Sequence, residues 1–244
     1  MKIVEPSVII EDYNGEKIEK NIEKACRKCY RSENLITEDS YKNLISNCLT
    51  RGHESILEHE KITVRMTCDI GVYKDLTRHR FASFSIESTR YCSYNKDKFG
   101  NEIKFIKPVW YNEAYKIAQQ NNEPLTEEEQ RCLHWKNIMQ EIENTYLEMS
   151  KLGAKPDELR MILPHSTAAE VTMTANIREW RHILDLRTKK MTHPSVQQVM
   201  IPILLQFQKD MPELFGDIEY NHDFPIEKYA SVVIDREEKG DEER

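Results

Sequence analysis

The stretch Lys61-Ile62-Thr63-Val64-Arg65-Met66-Thr67-Cys68 decides the class of fold. Ile62, Val64, Met66 and Cys68 occupy every second position, the period of an extended chain with one buried face. Residues 170–176 alternate in the same way through Val171, Met173 and Ala175, and residues 2–10 read as a further strand. Helices surround these strands. Residues 16–30 and 39–51 read as two of them. Residues 126–152 form a long one, in which Thr126 and Glu129 make a capping box and Gly153 suits the stop. Leu133, Trp135, Ile138, Met139, Ile142, Tyr146 and Leu147 mark its core-facing side. Asn176 reads as the cap of another helix, with Glu179 three residues on. After Pro194, the residues Val196, Val199, Met200, Ile203, Leu204 and Phe207 recur at three-and-four spacing, with a bend expected at Pro202. Helices with enough strand for a sheet make this an α+β protein.

Composition narrows the function. The 244 residues are 39% hydrophobic and 32% charged, as in a globular protein, and no apolar run approaches the roughly 18 residues of a membrane span. The net charge of −7 supplies no general attraction to nucleic acid or anionic lipid. Glycine occurs only 7 times, and neither a dinucleotide fingerprint nor a P-loop is present, so any phosphate must be held by side chains. The segment MKIVEPSVIIEDYNG has no basic region followed by an apolar stretch, and six cysteines are few for this length; a reduced, cytoplasmic setting is expected. Cys26 and Cys29 form a C-x-x-C in a charged, helical stretch with no second pair, so neither a zinc site nor a redox role is expected. No linker divides the chain. Residues 1–234 read as one domain and residues 235–244 as a charged, frayed tail.

The densest chemistry lies in TRHRFASFSIESTRYCSY, residues 77–94. Arg78, His79 and Arg80 are consecutive, followed by Ser83, Ser85, Ser88, Arg90 and Tyr91. Guanidinium forks match phosphate oxygens, hydroxyls fill the remaining acceptor positions, and aromatics suit a flat ring. A basic face contacting RNA is the alternative on composition alone. Three adjacent basic side chains point in three directions on a helix, so convergence on a bound anion explains them better.

A second constellation is ANIREWRHILDLR, residues 175–187, where Arg178, His182 and Asp185 share one side of a helix. Ile177, Trp180 and Leu184 form an apolar stripe that Arg187 continues, and a buried guanidinium there needs an anionic partner. Arg160, beside Met161, Ile162 and Leu163, is similarly placed. In both cases a surface cation remains the bland alternative. His53 and His59 lie six residues apart, about 120° around a helix, and Leu57 stands where H-E-x-x-H has its second histidine, so no metal is expected.

Arg78-His79-Arg80 followed after seven residues by Ser88 resembles R-H-R-x7-S, the signature of the flavin-dependent thymidylate synthases, and Arg90-Tyr91 extends it. GHESILEH (52–59) resembles that family's G-H-E-x-x-x-E-H block, and LRMILP (159–164) and N-x-R followed by L-R (176–187) resemble its downstream blocks. Four blocks in order cover Gly52 to Arg187.

The resemblance implies helices packed on a central, mostly antiparallel sheet, and a homotetramer with active sites between subunits. It implies conversion of dUMP to dTMP, with carbon from 5,10-methylenetetrahydrofolate and hydride from FAD reduced by NADPH. By position, the FAD set is His53, Ser55, Arg78, His79, Arg80, Ile86, Asn176, Arg178 and His182. The dUMP set is Asp75, Leu76, Thr77, Arg78, Glu87, Ser88, Thr89, Arg90, Arg160 and Arg187. Arg187 and Ser88 are the catalytic candidates. A cation at Arg187 stabilises charge gathered on the uracil ring. Ser88 lacks a histidine–carboxylate triad, which assigns it to positioning or polarising dUMP and not to covalent attack. His53 is expected where folate or reductant approaches. Ile86 replaces the Glu or Gln of many relatives, leaving only its main chain for a flavin contact. Asp75 stands for Gln and His182 for Asn, and each retains hydrogen-bonding capacity. No metal, nucleic-acid or membrane partner is implied.

Overall fold

The computed structural model describes residues 1–11, 13–89, 94 and 102–235. In chain order it runs β1 (Lys2–Val4), β2 (Ser7–Ile10), α1 (Gly15–Tyr30), α2 (Ser40–Thr50), a 3-10 turn over Glu54–His59, β3 (Lys61–Asp69), α3 (Ile70–Leu76) and β4 (Ala82–Ile86). It continues with β5 (Lys104–Ile106), α4 (Ala114–Gln120), α5 (Glu127–Lys151), α6 (Pro156–Leu159), β6 (Ala168–Asn176), α7 (Ile177–Arg187), α8 (Pro194–Asp210), α9 (Pro212–Phe215) and β7 (Ser231–Ile234).

A five-stranded sheet in the order β4-β6-β3-β2-β7 carries the fold. Three of its pairings are antiparallel and β2–β7 is parallel, which matches the expected mostly antiparallel sheet. The long β3–β6 ladder, from Lys61 opposite Asn176 to Asp69 opposite Ala168, joins the two alternating segments edge to edge and sets their buried positions side by side on one face. Residues 2–10 are not one strand. Glu5-Pro6 interrupts them, and a proline there offers no N–H to a ladder. As a result β1 pairs in parallel with β5 in a separate sheet, while β2 enters the main one.

α8 packs on the sheet and is buried on nearly every side, running through Pro202 within one helical span. Trp180 of α7 is wholly buried, stacks edge-on to Phe207 of α8 and donates from Nε1 to the Ile62 carbonyl at 2.9 Å. α5 covers a separate cluster of Tyr94, Ile103, Phe105, Met139, Tyr146 and Leu159. Only part of its expected apolar face is interior: Met139 and Tyr146 are buried, whereas Ile138 is 52% exposed. Asp235 also belongs to the fold and not to a frayed tail, since Arg65 holds its carboxylate at 2.7 Å and its N–H donates to Ile10. Residues 236–244 lie outside the described residues.

The two cysteines of the C-x-x-C have different surroundings. Cys26 is buried against Cys48, Sγ to Sγ 3.6 Å, and Cys29 is exposed. Burial pushes the Cys26 thiol up to about 12, away from thiolate chemistry. Among the described residues, no helix is long and apolar enough to cross a membrane.

Candidate active site

Three segments meet because of strand register. Ala82 at the start of β4 lies opposite Ala175 in β6, and Lys61 at the start of β3 lies opposite Asn176. The Arg78–Arg80 turn, the N-terminus of α7 and the Glu54–His59 turn therefore converge at one corner of the sheet. Asn176 caps α7 by accepting from the Glu179 N–H at 2.8 Å. The Arg78–Arg80 turn is closed by His79 N–H donating to the Leu76 carbonyl and Ala82 N–H donating to the His79 carbonyl.

The corner opens into a cavity of about 990 Å³. Arg78, His79, Arg80, Asn176, Arg178 and His182 of the expected flavin set all line it. So do Glu54 and Glu58, the acids of the GHESILEH block, together with Asp185, Arg181 and Asp217, of which the last two had been given no role. Arg178 donates to Glu58 at 2.7 Å and lies 3.3 Å from Glu54; Arg181 grips Asp217 with two bonds of 2.7 and 2.8 Å and also donates to the Leu214 carbonyl. Arg78 and Arg80 are exposed and form no ion pair among the described residues. Acidic partners drawn from other segments are what sequence spacing could not show.

Deeper in this wall, His79 is buried. Its Nε2 accepts from Arg187 Nε at 2.9 Å, and its Nδ1 lies 3.5 Å from the Glu179 carboxylate. His182 stacks edge-on to it, with ring centroids 5.7 Å apart. Burial above all, then the charges of Arg187 and His182, push the His79 imidazole down to about 4, so it is neutral at neutral pH. Burial raises the Glu179 carboxyl above its ordinary value. Arg187 also donates from Nη2 to the Asp75 carbonyl at 3.0 Å. The anionic partner expected for Arg187 does not appear among the described residues: its two partners there, the His79 ring and the Asp75 carbonyl, are neutral.

His79, Glu179 and His182 bring their donor atoms within 4.8 Å of one another, among the described residues the group nearest to a metal site. His79 already uses Nε2 to accept from Arg187, so a guanidinium charge stands beside any cation held there.

A second cavity, of about 340 Å³, is lined by Glu87, Thr89 and Arg160 from the expected dUMP set, together with Lys74 and His165, which the sequence reading did not single out. Lys74 Nζ lies 3.5 Å from His165 Nε2. The other expected residues fall elsewhere. Ser88 is half-buried between Glu87 and Thr89, and Asp75 contributes the carbonyl that holds Arg187. Leu76 is wholly buried in the core, which leaves only its main chain for a ligand. Thr77 is exposed and its hydroxyl donates to the Lys74 carbonyl at 3.2 Å. Ile86 packs its side chain against the core. His53 and Ser55 are exposed and line neither cavity, where their neighbours Glu54 and Glu58 do. Arg90 lies outside the described residues. Arg187 lies behind these walls: it bonds to His79, which lines the larger cavity, and to the carbonyl of Asp75, next in sequence to Lys74 of the smaller.

Fold and site thus define an α+β protein with two cavities, each lined by basic side chains. The sequence profile of the family described as "Thymidylate synthase complementing protein" matches residues 10–213, and the chain belongs to that family. The flavin-dependent thymidylate synthase of Thermosipho africanus is 30% identical over 195 residues, 79% of this chain and 82% of that protein. Those of Pyrococcus abyssi and Thermococcus onnurineus are 29% and 32% identical over 175 and 160 residues, 71% and 65% of this chain. These alignments span 65% and 59% of the two archaeal proteins. A solved UMP/dUMP methylase from Streptomyces cacaoi, bound with 5-Br dUMP, superposes with a TM-score of 0.70 at 20% identity, covering 88% of this chain and 96% of that one, and shares the fold.

Proposed function

We propose that this chain is a flavin-dependent thymidylate synthase, methylating dUMP to dTMP with 5,10-methylenetetrahydrofolate as carbon donor and NADPH as reductant. The observation that carries the reading is the placement of Arg187, held by two neutral partners, of which His79 lines the arginine-rich cavity and Asp75 adjoins Lys74 of the smaller basic one. The larger cavity suits FAD in size, at the upper end of the roughly 300–1,000 Å³ of ligand pockets, and in its guanidinium groups, which match a pyrophosphate. When bound, FAD supplies the hydride that completes the methyl group. Arg78, Arg80, Arg178 and Asn176 would hold it there, with His79 and His182 beside it.

The smaller cavity suits the dUMP phosphate: Arg160, Lys74 and His165 face a single carboxylate, Glu87, and Thr89 adds a hydroxyl. Arg187 stabilises negative charge developing on the uracil ring, a contribution of roughly 3–4 kcal/mol for one preorganised donor. Ser88 positions the ring. The chain works as one domain over residues 1–234, in the cytoplasm, and as a homotetramer whose subunits complete each site; His53, exposed here, would then meet folate or reductant at that junction.

Visible absorption of the purified protein after FAD is offered and the excess removed tests this first. A bound-flavin spectrum followed by dTMP formation on anaerobic reduction with NADPH, dUMP and folate is expected. A protein that cannot take up FAD and instead binds RNA with steep salt dependence overturns it. Ser88→Ala is expected to slow turnover without trapping an adduct; a covalent dUMP–protein species in wild type would reassign Ser88 as nucleophile.

A further inference from the structure

Arginine is always a donor, so the 2.9 Å bond from Arg187 Nε requires an unprotonated Nε2 on His79. A neutral imidazole then carries its proton on Nδ1. That N–H is buried and needs an acceptor. The carboxylate facing it is Glu179, at 3.5 Å, itself buried. Glu179 stands three residues after a helix cap, where a glutamate ordinarily reaches back to the cap N–H. Here the Asn176 side chain accepts from Glu179, but the carboxylate does not return to Asn176; it is turned toward His79. His182, the other polar group against that ring, meets it edge-on with centroids 5.7 Å apart.

We propose that Glu179 is a positioning residue: by holding the proton of His79 on Nδ1 it keeps Nε2 open to Arg187 and so aims the Arg187 guanidinium. With Nε fixed by His79 and Nη2 by the Asp75 carbonyl, Nη1 has no partner among the described residues and is the edge proposed to meet the substrate. If the proton moves to Nε2, two donors face each other and the arginine must turn away. Partners that orient a functional side chain in this way typically change activity about 10–100-fold when removed, without touching substrate. The catalytic half of this inference rests on the function proposed above; the tautomer half does not.

The test is nitrogen NMR of the FAD-loaded protein with ring-15N-histidine, the His79 signals being identified by their loss in His79→Gln. Wild type is expected to show a protonated Nδ1 and an unprotonated Nε2. Glu179→Leu should move the proton toward Nε2 and lower kcat for dTMP formation at least about tenfold with KM for dUMP unchanged, and Glu179→Gln, which retains an acceptor oxygen, should restore both. A wild-type His79 protonated on Nε2 overturns the proposal, as does a Glu179→Leu enzyme with normal kcat. Should Glu179→Leu fail to fold, the wild-type spectrum and the Glu179→Gln kcat decide alone. A wild type that makes no dTMP while carrying Nδ1–H overturns the proposed function and supports the tautomer assignment.

Discussion

α5 and α7 begin with the same sequence device and use it differently. At α5, Thr126 accepts from the Glu129 N–H at 3.3 Å and the Glu129 carboxylate accepts from the Thr126 N–H at 2.9 Å, a closed box on the surface. At α7, Asn176 caps in the same way, yet Glu179 is spent on His79. The difference is environment. The α5 end is exposed, so its donors have only each other and water. The α7 end abuts the Arg78–Arg80 turn through the β4–β6 register, and a buried imidazole there competes for the carboxylate. A cap pattern therefore predicts a helix start, but not what its acid does.

The largest expected effect lies at the far end of α7. Arg187→Ala should lower kcat for dTMP formation by roughly 10²–10³-fold, the usual loss of one preorganised donor, with the circular dichroism spectrum and melting unchanged. Near-normal turnover would remove Arg187 from the chemistry and make α7 as purely structural as α5.

Next comes Arg160, on the smaller cavity. Arg160→Ala removes a charged hydrogen-bonding group worth about 1.5–3 kcal/mol, so KM for dUMP should rise about 10–100-fold while flavin binding holds. Equal loss of both affinities would mean that the two cavities are not separate sites. Smaller still is the cap of α5: Thr126→Ala should cost about 1 kcal/mol in urea unfolding and leave kcat alone. A kinetic defect there would break the contrast between the two helices.

A pH-dependent effect is confined to the α7 corner. His79 is pushed down to about 4 from an ordinary 6.5, so between those values the unfolded chain binds a proton that the folded one excludes. Its contribution to stability is whole above pH 6.5 and is lost as pH falls toward 4. Glu179, with its carboxyl raised, acts in the opposite sense. The comparison to make is therefore wild type against His79→Gln, which should lose less stability than wild type between pH 7 and 4.5 in urea melts. Thr126→Ala should keep the wild-type slope, and a parallel shift in both variants would count against a neutral His79.

Much of the fold was legible because period and punctuation are local. Alternation in 61–68 and 170–176 found the two central strands, and the caps at Thr126 and Asn176 found two helix starts to within a residue. The break at Pro6 could also have been read from its missing N–H. The apolar face assigned to α5 was overread, since periodicity says which side is apolar but not how much of it another element covers. At the site, the arginines, His79, Asn176 and His182 were visible as types in an ordered pattern.

Alternation, caps and the order of basic and apolar residues are written along the chain, so the amino-acid sequence determined an α+β protein in which any phosphate must be held by side chains. Tertiary structure alone decided the pairings. Glu58 for Arg178, Asp217 for Arg181, Lys74 and His165 beside Arg160, and neutral partners for Arg187 come from segments distant in sequence or unmarked by any motif. A charge shows its sign in the sequence; its partner, burial and proton are set by what the fold places within about 4 Å of it.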